Sequence, residues 1–246
     1  MFLARRHPWE SARAAFFQEV LRAGGLLTSP ARWLDVGAGD AWFAEQLQRV
    51  LPTDSEIVCW DLNYTDEDLA RGASRPGLSL TAEQPTGPFD RILLLDVVEH
   101  VPDDRAFLKN LLSDLLAPGG RVLVSVPAYQ WLAGRHDAAL GHYRRYSPRQ
   151  ARALLDVAGL ERTAEGGLFH LLLAFRAMQV LGERLGRGGR DGTDEVGEWT
   201  GGERWTAFVT AVLRSEARLS FALGRRKTAL PGLSYWALSV ALPTEP

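Results

Sequence analysis

The feature that most constrains the fold is one short stretch in which apolar residues follow each other almost without interruption. Residues 89–96 read FDRILLLD and form a nearly continuous apolar run apart from Arg91. A strand with only one buried face alternates between apolar and polar residues, because successive side chains point to opposite faces of the sheet. A continuous run is instead typical of a central parallel strand covered on both faces. This stretch therefore predicts a layered fold with a parallel sheet.

Strand-like and helical segments alternate along the rest of the chain. The strand-like segments read RWLDV, SEIVCWD, GLSLTA, FDRILLLD, RVLVSVP, LERTAEGGLFH and LSYWALSVAL. Two helical segments, about 171–185 and 203–223, come before the last of them. Strands and helices that alternate in this way are typical of βαβ units. The sequence predicts an α/β fold with a doubly wound, mostly parallel, seven-stranded sheet of Rossmann-like form and a helical insertion before the last strand.

Several element ends can also be predicted from local signals. A first helix is expected over residues 8–23, and a second contains Phe43, Leu47, Val50 and Leu51 at helical spacing. A Pro-Gly-Gly turn is expected to separate the helix after residue 101 from the strand RVLVSVP. Ser147 and Gln150 have the spacing of a capping box, which predicts a helix start at Pro148.

Composition limits the functional class. The 246 residues include 28 basic and 30 acidic ones, a net charge of −2, so there is no basic footprint of a nucleic-acid binder. Cys59 is the single cysteine, which argues against disulfides and thiolate metal clusters and fits a cytoplasmic protein. The most apolar helical stretch, residues 168–186, contains four His, Arg or Glu residues and is not expected to span a membrane. Peripheral membrane contact stays open.

A glycine turn, LDVGAGDAWF, lies between the first strand and the next helix. Gly37 and Gly39 allow a ligand to approach the backbone, and the helix start favours an anionic group. A dinucleotide enzyme would have a third glycine at the position of Trp42. The acid Asp35, two residues before the first glycine, suits a ligand with an ammonium group better than a pyrophosphate.

The acid-x-Gly-x-Gly turn, with Asp61 at the end of the second strand, resembles the first motif of class I S-adenosylmethionine-dependent methyltransferases. FDRILLLDVVEHVPDD and LLAPGGRVLVSVP resemble the fourth-strand and fifth-strand regions of the same family. The resemblance covers roughly residues 30–160. It implies S-adenosylmethionine as cofactor, a single domain over 1–246 with a cofactor-binding core at 30–160, and a helical insertion or lid at 171–223.

The resemblance also implies roles for individual residues at the cofactor. Asp35 is expected near the methionine ammonium, Gly37 and Gly39 against the methionine moiety, and Asp61 at the two ribose hydroxyls. The remaining expected contacts are Leu62 at adenine, Thr81 and Ala82 near the adenine amino group, and Asp96 and Val97 at the methionine end. Two structural alternatives stay open: Asp35 satisfying backbone donors of the turn, and Asp61 acting as a plain cap.

The acceptor side is expected in the loop after the fifth strand, because ligands of such sheets bind beyond the carboxyl ends of the strands. That loop contains GRHDAALGHYRRYSP, which resembles a segment of a bacterial methyltransferase subgroup near polysaccharide or lipid-linked sugar pathways. His136 or His142 could take a proton from the acceptor, with Asp137 orienting the ring. Acceptor contacts are predicted for Tyr129, Trp131, Tyr143, Arg144 and Arg145, where the arginines could hold a carboxylate or phosphate.

These observations together predict a methyltransferase that acts on a small-molecule, glycan or lipid-linked acceptor, most simply at oxygen. No metal is expected, although His136, Asp137 and His142 could form a three-ligand site. The protein is expected to be a monomer or a homodimer. Two other readings stay open: a methyltransferase-like protein that binds the cofactor or a partner without turnover, and, less favoured, a nicotinamide oxidoreductase.

Overall fold

The computed structural model describes residues 7–72, 75–185, 202–224 and 230–242. Its seven strands form one sheet in the order β3-β2-β1-β4-β5-β7-β6. All neighbours pair in parallel except β7, which is antiparallel to both β5 and β6. The strands are β1 Arg32–Val36, β2 Glu56–Trp60, β3 Leu78–Thr81, β4 Phe89–Leu95, β5 Leu116–Pro127, β6 Leu160–Leu168 and β7 Ser234–Ala241. The predicted fold class is confirmed.

Helices cover both faces of this sheet. They are α1 Pro8–Ala23, α2 Trp42–Gln48, α3 Asp66–Gly72, α4 Asp104–Leu115, α5 Arg135–Ala139, α6 Pro148–Val157, α7 His170–Arg184 and α8 Glu203–Gly224. Leu93 of β4 packs in the cluster that includes residues of α1, α2 and α8, whereas its neighbours Ile92 and Leu94 pack with α4 and α6. The strand is therefore buried on both faces, which is the reason for its nearly continuous apolar sequence.

Two predicted boundaries differ from the structure. Helix α2 ends at Gln48, so Val50 and Leu51 lie in the following turn and Val50 is 37% exposed. Pro52 disfavours a helical conformation for the residue before it, which limits the helix there. Strand β5 begins at Leu116 instead of after the Pro-Gly-Gly segment, because Leu116 already pairs with Phe89 across a register shift.

The start of α6 is as predicted. The Ser147 hydroxyl accepts a hydrogen bond from Gln150 N at 3.3 Å, and the Gln150 side chain accepts one from Ser147 N at 2.9 Å. This reciprocal pair satisfies two donors that the first turn leaves open. The capping box fixes the point at which the loop after β5 ends.

The helices α7 and α8 lie between β6 and β7, as expected for an insertion. Helix α8 packs against α1, where the rings of Phe16, Phe221 and Trp236 contact each other. The glycine-rich stretch between the two helices falls on residues 186–201, outside the described residues. Among the described helices, none is long and apolar enough to cross a membrane.

Candidate active site

The glycine turn after β1 is open on the side where a ligand would approach. Gly37 and Gly39 have φ values of 63° and 55°, a region that residues with a Cβ adopt only with strain. Gly37 N donates to the carbonyl of Trp60 at 2.7 Å, and a Cβ at Gly37 would lie 3.0 Å from Val97 Cγ2. A Cβ at Gly39 would meet nothing within 4 Å. Gly39 therefore faces open space, whereas Gly37 packs against the residue that follows β4.

Asp61 connects this turn to the end of β2. Its Oδ2 accepts a hydrogen bond from Gly39 N at 2.9 Å, and its Oδ1 accepts from Asn63 N at 2.9 Å. Asp61 is thus a cap, as the structural alternative proposed. Oδ1 also accepts from Asn63 Nδ2 at 3.1 Å, so about one of the roughly four lone-pair sites of the carboxylate remains for a ligand hydroxyl. Leu62, beside it, is 78% exposed, as a residue that faces a ligand could be.

Asp35 lies at the base of the turn and is buried. Burial raises its pKa to about 7, Arg13 lowers it, and Asp61 raises it further. The N–H groups of Gly37 and Ala38 donate to Trp60 O, and that of Gly39 donates to Asp61, so these donors are satisfied without Asp35. A buried carboxyl in this position is suited to a cationic group of a ligand.

The predicted pair Thr81 and Ala82 follows β3 at the same edge of the sheet. The carbonyl of Thr81 accepts a hydrogen bond of 3.1 Å from Asp61 N, which places the two strand ends side by side. The Thr81 hydroxyl accepts from Glu83 N at 3.1 Å and donates to Glu83 O, so its side chain is used in a local turn.

Asp96 follows β4 and has a φ of 61°. One carboxylate oxygen accepts from the Ser125 hydroxyl at 3.1 Å, and the other pairs with the guanidinium of Arg13. Arg13 comes from α1, and its guanidinium also lies 5.1 Å from the ring of Trp9. The contribution of α1 to the site could not be predicted from the sequence, because no motif connects residues that are 83 positions apart.

A cavity of about 540 Å³ opens beyond the carboxyl ends of β4 and β5. Its apolar wall includes Trp9 from α1, Leu140 from the loop after β5, and Phe169 and Leu172 near the start of α7. Its charged and titratable lining residues are Arg13, Asp96, Glu99, His100, His136, His142, Arg145 and Arg176. Asp96 lines this cavity and is also the residue predicted at the methionine end of the cofactor. The cavity therefore lies next to that end of the predicted cofactor site.

His142, which lines this cavity, pairs with Asp137 behind it. His142 Nδ1 lies 3.0 Å from Asp137 Oδ1, and Arg145 Nε donates to the same oxygen at 2.6 Å. Burial would raise the pKa of Asp137, but the hydrogen bonds from His142 and Arg145 outweigh it and hold the pKa below its ordinary value. Asp137 is therefore ionised and can only accept, so His142 Nδ1 is the donor.

His136 also lines the cavity, and its pKa is lowered, first of all by burial. Arg145 lines the cavity as well, but its guanidinium is already used: Nε donates to Asp137 and Nη1 donates to Ala128 O at 3.2 Å. Arg145 therefore holds the loop together through Asp137 and Ala128 and also forms part of the cavity wall.

Four predicted acceptor-binding residues lie outside this cavity. Arg144 points away from it and pairs with Asp104 of α4 at 3.0 Å, because adjacent side chains of an extended backbone point in opposite directions. Tyr143 is 60% exposed, and Trp131 is 50% exposed with its ring 6.2 Å from that of Tyr129. Of the two arginines, Arg145 thus lines the cavity and Arg144 does not, and an acceptor contact of Arg144 stays a prediction.

Glu99 and His100 lie in a short 3-10 turn, Val98–His100, that follows β4. Their side chains nevertheless reach the cavity. Glu99 is completely buried, and neither carboxylate oxygen has a hydrogen-bond partner among the described residues. The ring of His100 lies edge-on to that of His142, with centroids 4.6 Å apart. In the sequence, the one signal for this placement is that Glu99 and His100 follow a few residues after the end of a predicted central strand.

Possible metal-ligating groups also meet at this point. One donor atom each of Glu99, His100 and His142 lies within 4.8 Å of the other two. A cation or a polar group of an acceptor could be surrounded by three atoms at this spacing. The set predicted from the sequence as the possible alternative, His136, Asp137 and His142, differs from it, because Asp137 is engaged by Arg145.

The strand order, the glycine turn after β1, the carboxylate after β2 and the cavity beyond β4 and β5 together define a class I S-adenosylmethionine-dependent methyltransferase. Residues 9–165 match the family described as "Methyltransferase domain", which is more than half of the chain, and the protein belongs to this family. The resemblance drawn from the sequence is confirmed, and the nicotinamide oxidoreductase is set aside. S-adenosylmethionine is the cofactor of this class.

Curated relatives carry the name "Ubiquinone biosynthesis O-methyltransferase". The protein from Caulobacter sp. (strain K31) is 36% identical over 103 residues, which cover 38% of this chain and 40% of the relative. The protein from Xanthomonas euvesicatoria pv. vesicatoria (strain 85-10) is 29% identical over 164 residues, 57% of this chain and 66% of the relative. The matches thus span less than two thirds of the length of these relatives.

Solved structures share the fold at low sequence identity. An S-adenosylmethionine-dependent methyltransferase from Mesorhizobium loti has a TM-score of 0.57 at 16% identity and covers 93% of this chain and 99% of its own. The N-methyltransferase NodS from Bradyrhizobium japonicum WM9 has a TM-score of 0.51 at 12% identity and covers 96% and 98%. Both proteins are less than 25% identical to this chain, so the likeness carries the fold alone.

Proposed function

We propose that the protein transfers a methyl group from S-adenosylmethionine to a hydroxyl group of a small molecule that has an apolar part. The observation that carries this proposal is the cavity beside Asp96, which combines an apolar wall with the His142–Asp137 pair. The names of the curated relatives support O-methylation.

The cofactor would be held along the carboxyl ends of β1, β2 and β4. Asp61 would accept hydrogen bonds from the ribose hydroxyls, with Leu62 beside the adenine. Asp35 would balance the methionine ammonium, for which its buried carboxyl is suited. When bound, the cofactor supplies a methyl group on a positively charged sulfur, which is a good leaving group.

At the methionine end, Gly37, Gly39, Asp96 and Val97 would border the cofactor. Thr81 and Ala82 stay a prediction for the adenine side, through their backbone more than their side chains, because the Thr81 hydroxyl is used locally. Positioning of the acceptor and exclusion of water can then supply most of the rate.

His142 is the proposed proton acceptor for the hydroxyl. Its Nδ1 donates to Asp137, so its Nε2 is free of a proton in the neutral ring and can receive one. Asp137 orients the ring and stabilises the imidazolium that forms, as a carboxylate does for a catalytic histidine. His136 lines the same cavity and is retained as a further contact of the acceptor.

The wall of Trp9, Phe169 and Leu172 favours an acceptor with a ring or alkyl substituent over a bare glycan. A lipid-linked glycan would need the saccharide to lie toward the loop of Tyr129, Trp131 and Tyr143, where exposed aromatic rings could stack on sugar faces. A small apolar acceptor can be bound by the residues of the cavity alone, so we prefer it to a lipid-linked glycan.

The proposal is tested by incubating the purified protein with methyl-labelled S-adenosylmethionine and three probes, hexylphenol, hexyl glucoside and hexylamine. The expected result is a labelled ether of hexylphenol. Label on hexylamine alone would contradict O-methylation. Binding of S-adenosylhomocysteine without transfer to any probe would favour the alternative of a cofactor-binding protein without turnover.

The cofactor part is tested separately by calorimetry with S-adenosylhomocysteine. Asp61→Ala is expected to weaken binding by about 100-fold, since it removes charge-assisted hydrogen bonds to the ribose and the contact that holds Gly39. Asp54→Ala, at the opposite end of β2, is the control and should bind normally. Normal affinity of Asp61→Ala would refute the ribose assignment.

A further inference from the structure

Glu99 is a polar side chain at the cavity to which the proposed function gives no role. It is completely buried, and both of its carboxylate oxygens are without a hydrogen-bond partner among the described residues. An unsatisfied buried polar group is costly, and each such case in a folded protein calls for a specific explanation. Glu99 lines the cavity directly after β4, so a bound molecule could provide the missing partner.

The distance between Glu99 and His142 fits one intervening oxygen. One ligand atom each of Glu99, His100 and His142 lies within 4.8 Å of the other two, yet no hydrogen bond joins Glu99 to either ring. An oxygen that makes hydrogen bonds of about 2.8 Å to both sides spans such a gap. The hydroxyl of the acceptor is the group that the proposed function brings to this place.

The direction of the hydrogen bonds follows from Asp137. Because Asp137 accepts from His142 Nδ1, the other ring nitrogen is an acceptor and takes the single proton of the hydroxyl. The hydroxyl oxygen can then only accept from Glu99, so the carboxyl of Glu99 has to carry a proton. Burial and, to a smaller extent, Asp96 raise the pKa of Glu99 well above its ordinary value, while its own backbone N–H and then Arg13 and Arg145 lower it less, which agrees with a neutral carboxyl.

We propose that Glu99 contacts the acceptor directly and donates a hydrogen bond from its protonated carboxyl to the hydroxyl oxygen, on the side opposite His142. This inference rests on the proposed function, since it requires a hydroxyl acceptor. The hydroxyl oxygen is bonded to its own carbon and held by two hydrogen bonds, so its remaining lone pair is left for the methyl carbon. This is the near-attack geometry that transfer requires. As the new carbon–oxygen bond forms, the carbon–sulfur bond breaks with its electron pair on sulfur, and the hydroxyl proton passes to His142.

The test compares Glu99→Gln with Glu99→Leu. The amide of glutamine keeps a donor at the same position without being able to ionise, whereas leucine has similar size and no polar atom. With hexylphenol as the probe, Glu99→Gln should keep kcat/KM within about threefold of the wild type, and Glu99→Leu should lose about 30-fold, mostly in KM. Both variants should bind S-adenosylhomocysteine as the wild type does, because Glu99 lies on the acceptor side.

Three outcomes would overturn the proposal. If Glu99→Gln loses as much activity as Glu99→Leu, the carboxyl acts as a base or ligand and not as a donor. If both variants remain fully active, Glu99 does not contact the acceptor. If a chelator abolishes wild-type activity and Mg²⁺ restores it, a cation occupies the position assigned to the hydroxyl.

Two further results keep the test decisive. Should Glu99→Leu fail to bind S-adenosylhomocysteine, the comparison of Glu99→Gln with the wild type decides, and a loss above about 30-fold contradicts the donor role. A wild-type protein that methylates hexylamine but neither hydroxyl probe refutes the proposed function first, and the role of Glu99 with it. That result is visible before any variant is measured.

Discussion

His142 Nδ1 lies 3.0 Å from Asp137 Oδ1, and this contact joins α5 to the segment that follows it, in the middle of the loop between β5 and α6. The same carboxylate accepts from Arg145 Nε at 2.6 Å and from Gly134 N at 3.0 Å. The side chains of Asp137, His142 and Arg145 are each less than a tenth exposed. One buried carboxylate therefore fixes the shape of this loop, independently of any ligand.

Replacing Asp137 by alanine should destabilise the protein strongly. The change leaves the buried guanidinium of Arg145 without its carboxylate, and breaking a buried ion pair by removing one partner costs about 3–5 kcal/mol. Urea unfolding of Asp137→Ala should show this loss. Asp156→Ala, which removes the partner of Arg162 at a side chain that is 57% exposed, is the control and should lose much less. Equal losses of unfolding free energy in the two variants would mean that the pair of Asp137 and Arg145 contributes no more than an exposed ion pair.

Binding of the cofactor product should depend on the charge of Asp35. Its pKa is raised to about 7 by burial, and the ammonium of S-adenosylhomocysteine favours the ionised form. Affinity should therefore increase as the pH rises from about 6 to about 8 and be lost on acidification. Calorimetry should show this trend for the wild type, whereas Asp35→Asn should bind weakly at every pH. A wild-type affinity that does not change across this range would contradict the assignment.

The same group should affect the stability of the ligand-free protein in the opposite direction. A folded-state pKa above the unfolded value contributes stability that is complete below about pH 4 and is lost as the pH rises through about 7. Thermal unfolding of Asp35→Asn should lack this decline, although other groups titrate in both proteins. The difference between the two curves isolates Asp35.

Much of this arrangement could be predicted from the sequence, because local rules determine it. The apolar run around Leu93 predicts a strand covered on both faces, and Ser147 with Gln150 fixes the start of α6. Asp61 could be placed at the edge of the sheet because it directly follows a strand. Within a helix or a strand, the regular repeat of the backbone determines the direction in which each side chain points.

The wall of the cavity could not be predicted, because tertiary packing brings it together. Arg13 meets Asp96 across 83 positions, and nothing in the pattern of α1 distinguishes an arginine that faces a site from one that faces water. Glu99 resembles a turn residue in sequence, and only the loop after β5, whose Tyr143 N donates to Glu99 O at 2.8 Å, closes over it. Such contacts depend on how separate helices and strands pack together. The periodicity within one helix or strand carries no information about that packing.

Arg13 should tune the cofactor site from α1. Its charge lowers the pKa of Asp35 and pairs with Asp96, so Arg13→Met should move the pH midpoint of S-adenosylhomocysteine binding above that of the wild type. Calorimetry across the pH range used for Asp35→Asn measures the shift. Arg218→Met is the matched control, because Arg218 also pairs with an acid of α1, Glu19, but at an exposed position. An unchanged midpoint in Arg13→Met would show that α1 contributes packing alone.

The adjacent arginines Arg144 and Arg145 should respond differently to the same substitution. Arg145 is 7% exposed, lines the cavity and holds Asp137, so Arg145→Met should reduce methyl transfer to hexylphenol by about tenfold or more. Arg144 pairs with Asp104 of α4 away from the cavity, so Arg144→Met should keep activity within about twofold and lose only a little stability. The two variants share the charge removed and the loop affected, and each serves as the control of the other. A greater loss of activity in Arg144→Met than in Arg145→Met would restore the prediction that Arg144 binds the acceptor.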